Sequence, residues 1–126
     1  CTLEEINHSV LNQCTAVGAQ LETLQSNSES ELVNRVQLSG TDGTRFIVIN
    51  PAAFTHTSVA LRDALAAVGL PFIEVHLSNV HAREPFRRQS FFSDLAQAVV
   101  CGLGPRGYEA AVDAALEQLG FHGAPT

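Results

Sequence analysis

The sequence predicts an α/β fold, a parallel sheet covered by helices on both faces. Helical and strand periods alternate from one end to the other, and the links between them are short. Phe46-Ile47-Val48-Ile49 is a continuous apolar run, the pattern of a parallel strand buried on both sides rather than a half-exposed one. The chain has 126 residues, enough for one domain with a self-sufficient core but too few for two.

The elements follow in order. Thr2 and Glu5 form a capping box, and Leu3, Ile6, Val10, Cys14 and Val17 recur at helical spacing until Gly18 ends the helix. Gln20 to Leu24 is a short candidate strand. The polar run Ser26 to Ser30 is a loop ending in an N-cap, followed by a helix through Leu32, Val33 and Val36. Gly40 and Gly43 bracket a turn before the apolar strand that begins at Phe46. Thr57 or Ser58 can cap the next helix, which runs through Val59, Leu61, Leu65 and Val68 and closes at Gly69. Phe72 to Leu77 and Ala98 to Cys101 are the remaining strands. Pro105 suits the first turn of a last helix through Tyr108, Val112, Ala115 and Leu119, and the tail after Gly120 is expected to fray.

Composition closes several functional classes. A net charge of −6 argues against nucleic acid or an anionic membrane as the main partner. No apolar run approaches the roughly 18 residues of a membrane span, and no secretory leader is expected. Three cysteines without C-x-x-C spacing are expected to be reduced thiols, so a cytoplasmic location is expected. All seven basic residues are arginine, which excludes a Schiff-base lysine. There is no phosphate-binding G-x-x-x-x-G-K-[ST] loop. Gly102-Leu103-Gly104-Pro105-Arg106-Gly107 does satisfy G-x-G-x-x-G, but no second strand follows the helix it opens. Its glycines are expected to serve close strand–helix packing instead.

In open parallel sheets, ligands bind beyond the carboxyl ends of the strands, which points to the chain after Asn50 and after His76. The first loop, Asn50-Pro51-Ala52-Ala53-Phe54-Thr55-His56-Thr57-Ser58, combines small residues with two directional hydrogen bonders, Asn50 and His56. A plain turn with an N-cap would also account for it. In the second, Glu74 and His76 share one face of a strand. A carboxylate beside an imidazole orients the ring and favours its protonated form, as a general acid near neutral pH requires; a simple ion pair at a strand end is the alternative. Arg83, Arg87 and Arg88 follow closely, and a bidentate fork from Arg87 or Arg83 suits an anionic carboxylate substrate. Glu74, His76 and His81 could instead ligate a metal ion, although the neighbouring arginines would repel it, so no metal is expected.

The runs Asn50 to Asp63 and Glu74 to Glu84 are long and specific, and they resemble type II 3-dehydroquinate dehydratase, the small dehydroquinase. Gln25-Ser26-Asn27, Phe91-Phe92-Ser93-Asp94 and Cys101-Gly102-Leu103-Gly104 match as well, so the resemblance runs from Thr2 to about Leu119. It implies a flavodoxin-like three-layer sandwich, a homododecamer built as a tetramer of trimers, and no cofactor. The implied reaction is anti elimination of water from 3-dehydroquinate, through an enolate, to 3-dehydroshikimate, in the shikimate pathway or in quinate catabolism. By position, His76 resembles the general acid and Glu74 its orienting partner. Asn50, His56 and Arg87 resemble the residues that hold substrate hydroxyls, and Leu77 and Ser78 the pair that binds the carboxylate. Asp63 resembles the residue that reaches a neighbouring subunit's site, and Arg83 a supporting charge; Gln89 stands where the family usually has histidine. The family's first strand and its lid, with the tyrosine base, precede the segment that matches Thr2. The chain is therefore expected to lack both, and Cys1 not to be the natural N-terminus. Tyr108, the single tyrosine, matches a structural position. An inactive binding or assembly module on the same fold is the alternative reading.

Overall fold

A computed structural model describes residues 2–77 and 92–121. Four α-helices and three parallel strands make up these residues: α1 (Leu3–Ala16), α2 (Glu29–Ser39), β1 (Ile47–Ile49), α3 (Val59–Val68), β2 (Phe72–His76), β3 (Ala98–Cys101) and α4 (Arg106–Gln118). A short 3-10 helix, Ala52–His56, joins β1 to α3.

Local chemistry sets the boundaries. The Thr2–Glu5 capping box is complete, with Glu5 N–H donating to Thr2 Oγ1 at 3.1 Å and Thr2 N–H to Glu5 Oε2 at 3.2 Å. Ser28 caps α2, and Ser58 rather than Thr57 caps α3, accepting from Leu61 N–H at 3.0 Å. Gly69 closes α3 at φ 67°, a left-handed conformation in which any Cβ would be strained.

The sheet order is β1-β2-β3, with Ile49 opposite Glu74 and His76 opposite Cys101. Alternation along the strands divides the core into two faces. Ile47, Ile49 and Phe72 pack with Val36 of α2, with Leu61, Ala64 and Leu65 of α3, and with Phe92. On the opposite face, Val48, Ile73, Val75 and Val100 meet Ala111 and Tyr108 of α4, while Val112 and Leu116 of α4 bury Val10 and Cys14 of α1. Helices on both sides of a parallel sheet make the expected three layers. Every residue of β2 is buried, so the central strand carries the two-sided burial predicted for this sheet.

Two expectations change. Gln20 to Leu24 forms no strand. Its period of two is real, since Ala19 and Leu21 pack on the α1–α4 cluster while Gln20 and Glu22 are exposed. A strand also needs a hydrogen-bonded neighbour, and among the described residues this segment has none. β1 begins at Ile47 rather than Phe46; Ile47 N–H donates to Pro71 C=O at 3.1 Å, and that bond opens the ladder.

Of the glycines after β3, only Gly107 behaves as a packing residue; Gly102 and Gly104 hold positive φ values of 81° and 60°, and a Cβ on Gly104 would meet nothing within 4 Å. A Cβ on buried Gly107 would stand 3.2 Å from Val75 Cγ1 and 3.6 Å from Val100 Cγ1, so α4 lies close enough to the sheet that any side chain here would need Val75 to give by a few tenths of an ångström. No helix among the described residues is long and apolar enough to cross a membrane.

Candidate active site

Parallel pairing places the ends of β1, β2 and β3 side by side, and the polar residues gather there. Glu74 and His76 lie on the α3 side of β2, the face opposite Val75, and are 0% and 4% exposed. Glu74 Oε1 stands 3.1 Å from His76 Nε2. The contact is close but poorly directed, and Nε2 has no hydrogen-bond partner among the described residues. The other carboxylate oxygen, Oε2, accepts a 2.6 Å bond from the Ser93 hydroxyl. A carboxylate removed from water costs several kcal/mol unless charge and hydrogen bonds compensate it. The Ser93 hydroxyl supplies one such bond, and the His76 ring stands beside the other oxygen.

Asn50 follows the last residue of β1 and turns to the opposite face of the sheet. Its Oδ1 accepts from Ala52 N–H at 3.0 Å, and its Nδ2 donates to the Tyr108 hydroxyl at 2.8 Å. Ala52 itself holds a positive φ of 50°, which is costly for a residue with a Cβ; the Asn50 bond fastens the chain in that turn. Thr55, also buried, donates to Ala52 C=O at 2.6 Å. The loop after β1 is thus folded upon itself and held at its start by α4.

Leu77 is 41% exposed, and its C=O accepts from Gly104 N–H at 2.8 Å, so the end of β2 is tied to the loop after β3. Asp63 lies on the exposed side of α3. Ser78, Arg83 and Arg87 fall outside the described residues, as do His81, Arg88 and Gln89, and so does the His56 side chain. The structure therefore brings Glu74, His76, Leu77 and Asn50 to one end of the sheet and leaves Asp63 on the surface.

Two partners went unnoticed in the sequence. Ser93 was legible only as part of a motif, with nothing to link it to a strand 19 residues earlier. Tyr108 read as a helix residue with a core-facing ring, and no periodicity predicts a bond to a residue 58 positions away. Beside Ser93, Asp94 receives both ends of the Arg62 guanidinium, at 2.6 and 2.9 Å, which braces this segment against α3. That guanidinium holds the Asp94 carboxyl below its ordinary range.

Comparison with known proteins gives a consistent picture. The profile of the family described as dehydroquinase class II matches residues 1–116. A 3-dehydroquinate dehydratase of Chromobacterium violaceum is 63% identical over 118 residues, covering 94% of this chain and 76% of that protein. The 3-dehydroquinate dehydratase 1 of Pseudomonas putida is 58% identical over 124 residues, covering 98% and 82% respectively. Among solved structures, a type II dehydroquinase from Butyrivibrio crossotus superposes with a TM-score of 0.87 at 38% identity, over 90% of this chain and 79% of that one. The type II dehydroquinase of Propionibacterium acnes gives 0.85 at 34%, over 92% and 79%. The three-layer α/β arrangement is accordingly flavodoxin-like, and the chain belongs to the class II dehydroquinase family.

Proposed function

We propose that the protein is a hydro-lyase that eliminates water from 3-dehydroquinate without a cofactor, giving 3-dehydroshikimate in the shikimate pathway of aromatic biosynthesis. The observation that carries this reading is the buried pair at the end of β2, with His76 Nε2 3.1 Å from Glu74 Oε1. Relatives named 3-dehydroquinate dehydratase at about 60% identity support the substrate.

In this reaction a proton leaves the carbon next to the ketone, and the electron pair is held as an enolate. The enolate then collapses, the bond to the hydroxyl on the neighbouring carbon breaks, and the departing oxygen takes a proton and leaves as water. The residues described above serve this second half. With Nε2 turned toward Glu74, Nδ1 is the ring nitrogen left to deliver a proton to the leaving group, and the carboxylate orients the ring. Asn50, with His56 and Arg87, holds the substrate hydroxyls. Leu77 and Ser78 receive its carboxylate through backbone N–H groups and the serine hydroxyl, Arg83 adds positive charge, and Asp63 serves the site of an adjoining subunit. That last role suits a trimer-based dodecamer acting in the cytoplasm.

Incubating the purified protein with 3-dehydroquinate and following enone absorbance tests the reading. The wild type should turn over, and His76→Ala should lose turnover by at least about 100-fold, the low end of what general acid–base catalysis contributes, while still binding substrate. Unchanged turnover in the variant would reject His76 as the acid. Binding without turnover in the wild type would favour an inactive module.

A further inference from the structure

The residue that fixes the substrate-facing amide at the end of β1 is the one tyrosine of the chain. Asn50 Oδ1 is bonded to a backbone N–H, which can only donate, so Oδ1 is the acceptor and the polarity of the amide is chemically determined. Nδ2 therefore faces the Tyr108 hydroxyl, at 2.8 Å. With both bonds in place, Asn50 keeps one N–H and one lone pair to offer a ligand hydroxyl, both in a set orientation.

Tyr108 is well suited to impose that orientation. It lies in the first turn of α4, where Gly107 lets the helix rest directly on Val75 and Val100. Its ring packs against both apolar clusters of that face, one around Ile73, Val75 and Ala111, the other around Val10, Cys14 and Val112. Packing against both clusters restrains the ring, and with it the position of the hydroxyl. Because its oxygen accepts from Asn50, its own proton remains to donate elsewhere.

We propose that Tyr108 is a positioning residue of the substrate site, acting through Asn50 to set the direction of its free donor and acceptor. This rests on the reading of Asn50 as a substrate-hydroxyl ligand. Tyr108→Phe keeps the ring and removes only the hydroxyl, so the thermal midpoint should stay within a few degrees of the wild type. With 3-dehydroquinate, KM should rise about three- to tenfold, the range of one net hydrogen bond, with a smaller change in kcat, as for a lost ground-state contact. In an Asn50→Ala background the same substitution should cost nothing further, since the residue it acts through has gone. An unchanged KM, or a full additional loss in the double variant, would overturn the proposal.

A second measurement does not depend on turnover. The Asn50 side-chain amide signals, assigned in a 15N-labelled protein by their loss in Asn50→Ala, should shift and exchange with solvent several-fold faster in Tyr108→Phe. If the wild type neither binds nor converts 3-dehydroquinate, the functional reading fails, and this spectrum alone decides whether Tyr108 holds Asn50. Signals unchanged by Tyr108→Phe would refute the inference in either case.

Discussion

Replacing Gly107 by alanine tests the link between helix packing and the buried pair. The new Cβ would stand 3.2 Å from Val75 Cγ1, a few tenths of an ångström inside the optimum for two carbon atoms, and 3.6 Å from Val100 Cγ1. Val75 cannot yield easily. It is 0% exposed, stiff at χ1 because it is β-branched, and carried by a strand paired on both sides. Relief has to come from lifting the start of α4, and overpacking of this kind costs roughly 1–3 kcal/mol. Alanine returns at most about 1 kcal/mol of helix propensity, less in a first turn. The backbone at Gly107 is not left-handed, so no conformational penalty adds to this. The net loss is about 0.5–2 kcal/mol, and with a urea m-value near 1.5 kcal/mol/M the unfolding midpoint falls by roughly 0.3–1.3 M. Urea titration of both proteins at one concentration measures it. Since Val75 lies between Glu74 and His76, turnover should fall as well. A variant as stable as the wild type, or more so, would show that α4 has room to spare and that the glycine is not there for packing.

Two further predictions concern titrating groups. Asp94 has a depressed folded pKa, so the stability it contributes is present above its unfolded value near 3.9 and is lost as pH falls through the folded one. Asp94→Asn should thus be less stable than the wild type at neutral pH, and the two should converge as pH falls through the lowered folded value; parallel pH–stability curves would contradict the Arg62 brace. Cys14 behaves in the opposite sense. Burial pushes its thiol up, so its contribution holds below the unfolded thiol value near 8.5 and declines as pH rises beyond it. Iodoacetamide at about pH 8 should alkylate Cys14 at least tenfold more slowly than an unfolded control, read by mass spectrometry, and equal rates would show that the α1–α4 interface is open.

What could be read from residues alone follows from the range of the forces involved. Caps and helix stops are local, so Thr2 with Glu5 and Gly69 were visible in order, whereas the cap of α2 falls at Ser28, before the Ser30 end expected of its loop. β1 was visible because a continuous apolar run such as Phe46 to Ile49 has few other uses. Glu74 and His76 could be paired because strand alternation is strict. Gln20 to Leu24 misled because its alternation reports burial, whereas strand formation depends on a neighbour that the segment itself does not encode. Ser93 and Tyr108 were hidden for the same reason: each meets its partner only through the folding of the whole sheet. The glycine pattern after β3 matched a nucleotide fingerprint letter by letter, and the 3.2 Å approach of a Gly107 Cβ to Val75 gives one of its glycines a packing reason.

The setting of β2 has a consequence for how the domain opens. Its five residues are all buried and have ladder partners on both sides. Amide protons of Glu74, Val75 and His76 should therefore exchange with solvent only when the whole domain opens. The buried pair that the proposed reaction would use is mounted on a persistent element, so mild heat or denaturant should leave it undisturbed until the domain itself unfolds.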